Sequence, residues 1–157
     1  MADLRWEDVA RYFEDDGSLL DAYVFDVSMT DWQLILDAVR SVGWPHDYSS
    51  GGGVQTLPGH IEDIFERRRD CSPTLHIRPA AGIVFATHFF SPENIEFDFD
   101  PDDVQGQQAL DVLCSFLRTV GQKLNRQVVL TPESSPEVPL IIYSPADDRF
   151  AAIRRSQ

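Results

Sequence analysis

The sequence predicts a single α+β domain over residues 1–157, with a mostly antiparallel sheet and helices packed on one face. The predicted order of elements is α-β-α-α-β-β-β-α-β-β. Two connections between predicted strands, R-P-A-A-G and S-P-E-N, are short enough for hairpins. Apolar residues recur at helical spacing on both sides of the strand-rich middle. A hydrophobic content of 43% suits one ordinary core.

The N-terminal third predicts a helix, a strand and a second helix. Apolar residues have helical spacing over residues 4–13, and the turn E-D-D-G ends that helix. Residues 18–27 are rich in aromatic and β-branched residues, which favours a strand. Thr30 is expected to open the next helix, and Gln33 completes a capping box three residues later. Gly43 is the expected end of this helix.

The middle of the chain predicts a loop, a short helix and three strands. Residues 44–58 contain Trp-Pro, Ser-Ser and Gly-Gly-Gly, and they predict the most mobile loop of the chain. A short helix is expected over 60–69. Strands are then expected over 73–78, 82–90 and 94–99, and their short connections predict an antiparallel meander.

The C-terminal third predicts the longest helix and two more strands. Asp100 is expected to cap this helix, with Pro101 at its first position. Its predicted apolar face consists of Leu110, Leu113, Phe116, Leu117 and Val120. Strands are expected over 127–131 and 139–143, and residues 151–157 are expected to fray.

The charge balance is strongly acidic. The chain has 26 Asp and Glu residues against 13 Lys and Arg residues, which gives a net charge of −13. Binding to nucleic-acid phosphates or to an anionic membrane needs basic surface, so neither partner is expected. A cationic partner is favoured instead.

The sequence also bears on cellular location. The stretch M-A-D-L-R-W-E-D has no basic segment followed by an apolar run, so no secretory signal is expected. No stretch approaches the roughly 18 to 20 apolar residues of a transmembrane helix. Cys71 and Cys114 form no disulfide framework, and Cys114 falls in an apolar helical pattern that predicts a core position. A bacterial cytoplasmic location is the default expectation.

The stretch N-I-E-F-D-F-D-P-D-D, residues 94–103, alternates apolar and acidic residues. On a strand this places Glu96, Asp98 and Asp100 on the face opposite the core, with successive carboxylates roughly 7 Å apart. A solvated strand face with helix capping is one interpretation, and a negative surface for a basic partner is the other. If the strand over 18–27 pairs nearby, its acids extend the same surface.

No catalytic residue, metal ligand or cofactor is assigned from the sequence. It contains no G-x-S-x-G motif, and no phosphate-binding loop follows its three glycines. A hairpin turn centred on residues 80–81 pairs residues whose numbers sum to 161, which places His76 and His88 on opposite faces. A register slip of one residue would place both on one face and restore them as possible metal ligands. Glu96, Asp98 and Asp100 offer oxygen ligands for magnesium or calcium, but their spacing is not that of an EF-hand loop and a flat strand face seldom surrounds an ion.

The chain resembles the small acidic immunity proteins that accompany bacterial polymorphic toxins and secretion-system effectors. The resemblance lies in the layout, a strongly acidic α+β domain of this length without a catalytic motif. It also lies in two stretches, L-L-D-A-Y-V-F-D-V-S-M-T-D-W-Q-L-I-L-D-A-V-R-S-V-G-W and F-F-S-P-E-N-I-E-F-D-F-D-P-D-D-V. It implies a non-enzymatic inhibitor that binds and neutralises a cognate toxin domain, often a basic nuclease.

The contact surface expected for such a partner consists of acids from two regions of the sequence. They are Glu93, Glu96, Asp98, Asp102 and Asp103, joined by Asp15, Asp16 and Asp21. Phe85, Phe89 and Tyr23 are candidates for aromatic anchors or, equally, for core residues.

Two alternatives stay open at this point. One is a small-ligand or metal-dependent enzyme, which a concave pocket with converging His or carboxylate groups would reveal. The other is a homo-oligomeric adaptor that uses an exposed strand edge such as 139–143. Whether the protein is a monomer or a homodimer is left open.

Overall fold

The computed structural model describes residues 4–153, which form nine strands in one sheet. The strands are β1 (Leu20–Val24), β2 (His46–Ser49), β3 (Val54–Gln55), β4 (Thr74–Ala80), β5 (Ile83–Thr87), β6 (Ile95–Phe99), β7 (Val128–Pro132), β8 (Ile141–Ser144) and β9 (Arg149–Ala152). Their order across the sheet is β3-β2-β4-β5-β6-β1-β7-β8-β9, and every neighbouring pair is antiparallel.

The helices pack on one face of this sheet. They are α1 (Trp6–Val9), α2 (Met29–Val42), α3 (Ile61–Arg67) and α4 (Gln107–Leu124), with 3₁₀ turns at Ala10–Phe13 and Pro101–Asp103. Phe116 of α4 stacks on Phe85 of β5, with ring centroids 4.0 Å apart, and meets Phe97 of β6 at 5.1 Å. The predicted α+β class is therefore confirmed. We call the sheet face away from the helices the open face.

The apolar side of α4 lies in the core, as predicted. Its predicted apolar residues are all buried, and Cys114 lies among them with 2% of its surface exposed. Among residues 4–153, none of the helices combines the length and the hydropathy needed to cross a lipid bilayer.

The N-terminal cap of α2 lies two residues before the predicted one. Ser28 Oγ accepts the backbone N–H of Asp31 at 3.3 Å, and Asp31 Oδ2 accepts the backbone N–H of Ser28 at 3.0 Å. This reciprocal pair is the capping box, so the assignment to Thr30 and Gln33 is wrong. Thr30 already lies inside the first helical turn, and Gln33 Oε1 instead accepts the N–H of Ile61.

Residues 44–58, predicted as a loop, contain two short strands. β2 pairs with β4, and β3 pairs with β2 at the margin of the sheet. Tyr48 is the fully buried residue of β2. A strand of four residues with one fully buried side chain shows no apolar alternation, so the sequence H-D-Y-S does not predict β2.

The C-terminal strands also differ from the prediction. β8 pairs with β7 on one side and with β9 on the other, so the segment 139–143 is not an exposed edge. Ala151 and Ala152 belong to β9, which contradicts fraying at these two positions. The rest of the predicted tail, from residue 154 onward, lies outside the described residues.

Asp100 caps a 3₁₀ turn rather than the longest helix. Its Oδ1 accepts the N–H of Asp102 at 2.9 Å, and Pro101 occupies the first position of the turn. The chain then leaves helical geometry. Gly106, with a φ of +93°, redirects it into α4, which begins at Gln107. The predicted start signals are genuine, but they belong to the turn that precedes α4.

The hairpin of β4 and β5 has a register one residue away from the predicted one. His76 pairs with Ala86, whereas the predicted register placed it opposite Phe85. Two differences combine: the turn lies one residue later than predicted, since Ala80 pairs with Ile83, and the register then shifts by one residue between Ala80 and Ile77. A shift of one residue exchanges the two faces of a strand, so His76 and His88 both lie on the open face.

Candidate functional site

Three carboxylates from two neighbouring strands meet at the centre of the open face. Asp21 of β1 lies directly opposite Asp98 of β6, and Glu96 lies two residues away on β6. Side chains in directly opposed positions have Cβ atoms about 4.5 to 5.5 Å apart, and like charges there repel. We call Asp21, Glu96 and Asp98 the acidic cluster. The pairing of β1 with β6 thus brings together three of the predicted site residues.

Asp21 is the most deeply buried member of the acidic cluster. It is 2% exposed, and the connection after β7 contacts it. The backbone N–H of Ser134 donates to Asp21 Oδ2 at 2.8 Å, and Ser134 adopts a left-handed φ of 55°. Burial, followed by the nearby charge of Asp98, raises the pKa of Asp21, while the Ser134 hydrogen bond lowers it. This carboxylate is held in a fixed position by the protein.

Glu96 carries a half-buried charge close to the two other carboxylates. Burial, and then the charges of Asp21 and Asp98, raise its pKa from 4.5 to about 6. Tyr23, opposite Glu96 on β1, donates its hydroxyl to Asp21 Oδ2 at 3.4 Å and stacks on Phe25 at 5.2 Å between ring centroids. At neutral pH Glu96 is therefore ionised, but its ionisation is less favourable than that of an exposed carboxylate.

His88 is the basic neighbour of the acidic cluster. Its Nε2 lies 2.9 Å from Asp98 Oδ2, and its Nδ1 lies 3.2 Å from Thr74 Oγ1. The hydrogen bond with Asp98 raises the pKa of His88, burial opposes this, and the charges of Asp98, Glu96 and Asp21 raise it further. Since an ionised carboxylate only accepts, the Nε2 atom carries a proton in this contact. No feature of the local sequence predicts the pair.

Arginine side chains pair with acids elsewhere in the protein. Arg78 binds Asp47 at 2.6 Å and Arg126 contacts Asp31 at 3.2 Å. Within residues 4–153, no lysine or arginine forms an ion pair with the acidic cluster. The cluster therefore presents negative charge that the described chain neutralises only in part, through His88.

The other predicted acids lie at the two ends of the sheet near β1 and β6. Asp15 and Asp16 are exposed in the turn before β1, where their side chains accept N–H groups two residues further on. Asp102 and Asp103 follow β6, and the antiparallel pairing of β1 with β6 places these four acids at the same end. Glu93 is exposed at the opposite end. The acidic cluster lies between the two groups.

A surface depression of about 510 Å³ lies at the end of β6. Asp103, Gly82, Gln105 and Ala109 contribute to its lining. Burial, and then the charge of Asp100, raise the pKa of Asp103. In the part of the chain between residues 4 and 153, no three His, Cys, Asp or Glu side chains are arranged to hold a metal ion.

The aromatic residues exposed near the acidic cluster are not those considered from the sequence. Phe85 and Phe89 are fully buried in the core, and Tyr23 is only 8% exposed. Phe90 is 62% exposed instead, and its ring stacks on His88 with centroids 5.1 Å apart. In the pair F-F only one ring can face the core, but the sequence does not say which one.

Comparisons of the chain with protein-family models, with curated proteins and with solved structures find no match. Any functional assignment therefore rests on the geometry and charge of the open face.

Proposed function

We propose that this protein is a non-enzymatic binding protein that neutralises a basic protein partner through its open face. In the form that the resemblance implies, it is an immunity protein and the partner is a cognate toxin domain such as a nuclease. The observation that carries the proposal is the acidic cluster. Its charges are partly or fully withdrawn from water, and no lysine or arginine within residues 4–153 pairs with them.

Partly buried carboxylates without a full counter-charge cost stability to the free protein. A lysine or arginine from a partner would remove part of this cost when it binds, since charge-assisted hydrogen bonds are among the stronger polar contacts. Part of the free energy that holding Asp21, Glu96 and Asp98 together costs is thus recovered in a complex. The acidic cluster is therefore better suited to binding a partner than to stabilising the free protein.

The net charge of the whole chain also favours binding of a basic protein. At −13 it attracts a basic protein over distances longer than any contact. Such steering raises association rates and falls steeply with ionic strength. The acids at the two ends of the sheet, Asp15, Asp16, Asp102, Asp103 and Glu93, extend the negative surface around the acidic cluster.

The proposal is tested with association kinetics. The tagged protein is used to capture a stoichiometric basic partner from its host, with elution by a salt gradient, and the purified pair is studied by stopped flow. The double variant Glu96→Lys/Asp98→Lys is expected to lower the association rate by at least about tenfold and to flatten its salt dependence. The isosteric variant Glu96→Gln/Asp98→Asn removes the same charges but keeps the side-chain shapes. It shows whether slower association comes from the lost charges rather than from a loss of folding.

The matched control is Asp63→Lys/Glu66→Lys, on the exposed side of α3 in the helix layer. It changes the net charge by the same amount as the double lysine variant on the open face. If both lysine variants slow association equally, net charge alone is responsible and the open face is not the binding surface. Recovery of only the protein itself from its host would also count against the proposal.

A further inference from the structure

Phe90 is an exposed aromatic side chain at the border of the acidic cluster. It is 62% exposed, whereas aromatic rings of this size are usually buried in a core or an interface. One face of its ring lies against His88, with an interplanar angle of 27°, and His88 in turn contacts Asp98. An apolar group and a patch of negative charge are therefore neighbours on one surface.

The backbone around Phe90 is held by side chains from the helix layer. Arg68 Nη1 donates to the carbonyl oxygen of Phe89 at 3.0 Å, and Trp32 Nε1 donates to that of Ser91 at 3.1 Å. Phe89 itself adopts a left-handed φ of 55°, which turns its own ring into the core and leaves Phe90 outside. A side chain presented on a fixed backbone loses little freedom when it binds a partner.

We infer that Phe90 is the apolar anchor of the interface with the basic partner, and that the partner offers an apolar pocket bordered by lysine or arginine side chains. This inference rests on the proposed function and adds to it the chemistry of the partner surface. Anchors of this kind are typically aromatic, and less important polar contacts surround them. Here Glu96 and Asp98, the two less buried carboxylates of the acidic cluster, supply such polar contacts on one side of the ring.

Charge complementarity favours such a partner over a second copy of this chain. A two-fold contact through Phe90 would bring together two copies of the acidic cluster, since an isologous interface places the same patch on both sides. Like charges brought together across an interface are costly. A cationic surface with an apolar pocket complements both the negative charge of the acidic cluster and the exposed ring of Phe90.

The inference is tested with two synthetic peptides of about five repeats each, one of Lys-Leu and one of Lys-Ser. They have equal charge and length, so their difference in affinity reports apolar contact. We expect the wild-type protein to bind the Lys-Leu peptide about tenfold more tightly in fluorescence anisotropy, because a buried aromatic anchor is typically worth this much or more. Phe90→Ala is expected to reduce this preference to about twofold.

Leu34→Ala is the matched control, since Leu34 is 39% exposed on α2 in the helix layer. It is expected to keep the full preference for the Lys-Leu peptide. Glu96→Gln/Asp98→Asn is expected to weaken the binding of both peptides equally. Near-ultraviolet circular dichroism of each variant verifies that the tertiary structure is retained.

Different results would contradict the Phe90 anchor and the proposed function. An unchanged preference in Phe90→Ala would overturn the anchor while leaving the proposed function intact. Peptide binding that does not depend on Glu96 and Asp98 would overturn the proposed function itself. If sedimentation shows a wild-type dimer that Phe90→Ala dissociates, the anchor belongs to self-association and the inferred partner is wrong.

Discussion

Replacing Glu96 by glutamine is expected to stabilise the free protein at neutral pH. Its pKa of about 6 in the folded protein lies above the value of 4.5 that an unperturbed glutamate has. The folded state therefore holds this proton more tightly than the unfolded state, and stability falls as the pH rises from 4.5 through about 6. One pKa unit corresponds to about 1.4 kcal/mol, so the charge on this half-buried group costs about 1 to 2 kcal/mol at neutral pH.

Glutamine keeps the shape of Glu96, but it carries no charge. Urea unfolding followed by tryptophan fluorescence should show a gain of about 1 to 2 kcal/mol at about pH 7.5. The gain should fall to a few tenths of a kcal/mol at about pH 4.5, where Glu96 of the folded protein is already mostly protonated. Binding of a basic partner should weaken in the same variant.

Glu62→Gln, on the exposed side of α3, is the control and is expected to change stability by less than about 0.5 kcal/mol. A gain for Glu96→Gln that is equally large at both pH values would show that charge is not its cause. An absence of any gain at the higher pH would refute the view that the acidic cluster costs stability.

Three further predictions concern the helix cap, a close packing contact and the histidine. Ser28→Ala should lower the free energy of unfolding by about 1 kcal/mol in urea titrations, whereas Thr30→Ala should change it by less than about 0.5 kcal/mol. Gly121→Ala should cost about 1 to 3 kcal/mol in the same assay, because an added Cβ would lie 2.5 Å from the ring of Tyr143. In an NMR titration, His88 should show a pKa above 6.5, since its Nε2 contacts a carboxylate; a value at or below 6.5 would contradict this contact.

The local patterns of the sequence predict the elements whose burial is one-sided and regular. The apolar stripe of α4 and the meander of β4, β5 and β6 follow from periods of 3.6 and 2. β2 escapes prediction because Tyr48 is its single fully buried residue. The register of β4 and β5 is not predicted because it combines a turn one residue later than expected with a register shift after Ile77, and no local pattern encodes that shift.

The candidate site, too, is only partly predictable from the sequence. Strand alternation alone places Glu96 and Asp98 on one face. Their approach to Asp21 requires the sheet order, in which β1 inserts between β6 and β7, and sequence spacing does not reveal that insertion. Phe90 could not be chosen over Phe89 because the decision depends on a left-handed backbone and on hydrogen bonds from α2 and the end of α3.

The central place of β1 has a consequence for how the chain folds. Of the strands described, those on one side of β1 come from residues 46–99, and those on the other side come from residues 128–152. On the ribosome, β1 emerges before both sets of partner strands. One of its edges therefore stays unpaired until β7 has been synthesised. Closing such long loops is entropically costly and slow, so the joining of the two halves through β1 should be a late folding step. A nascent chain that stalls before β7 would leave one edge of β1 unpaired and prone to aggregation.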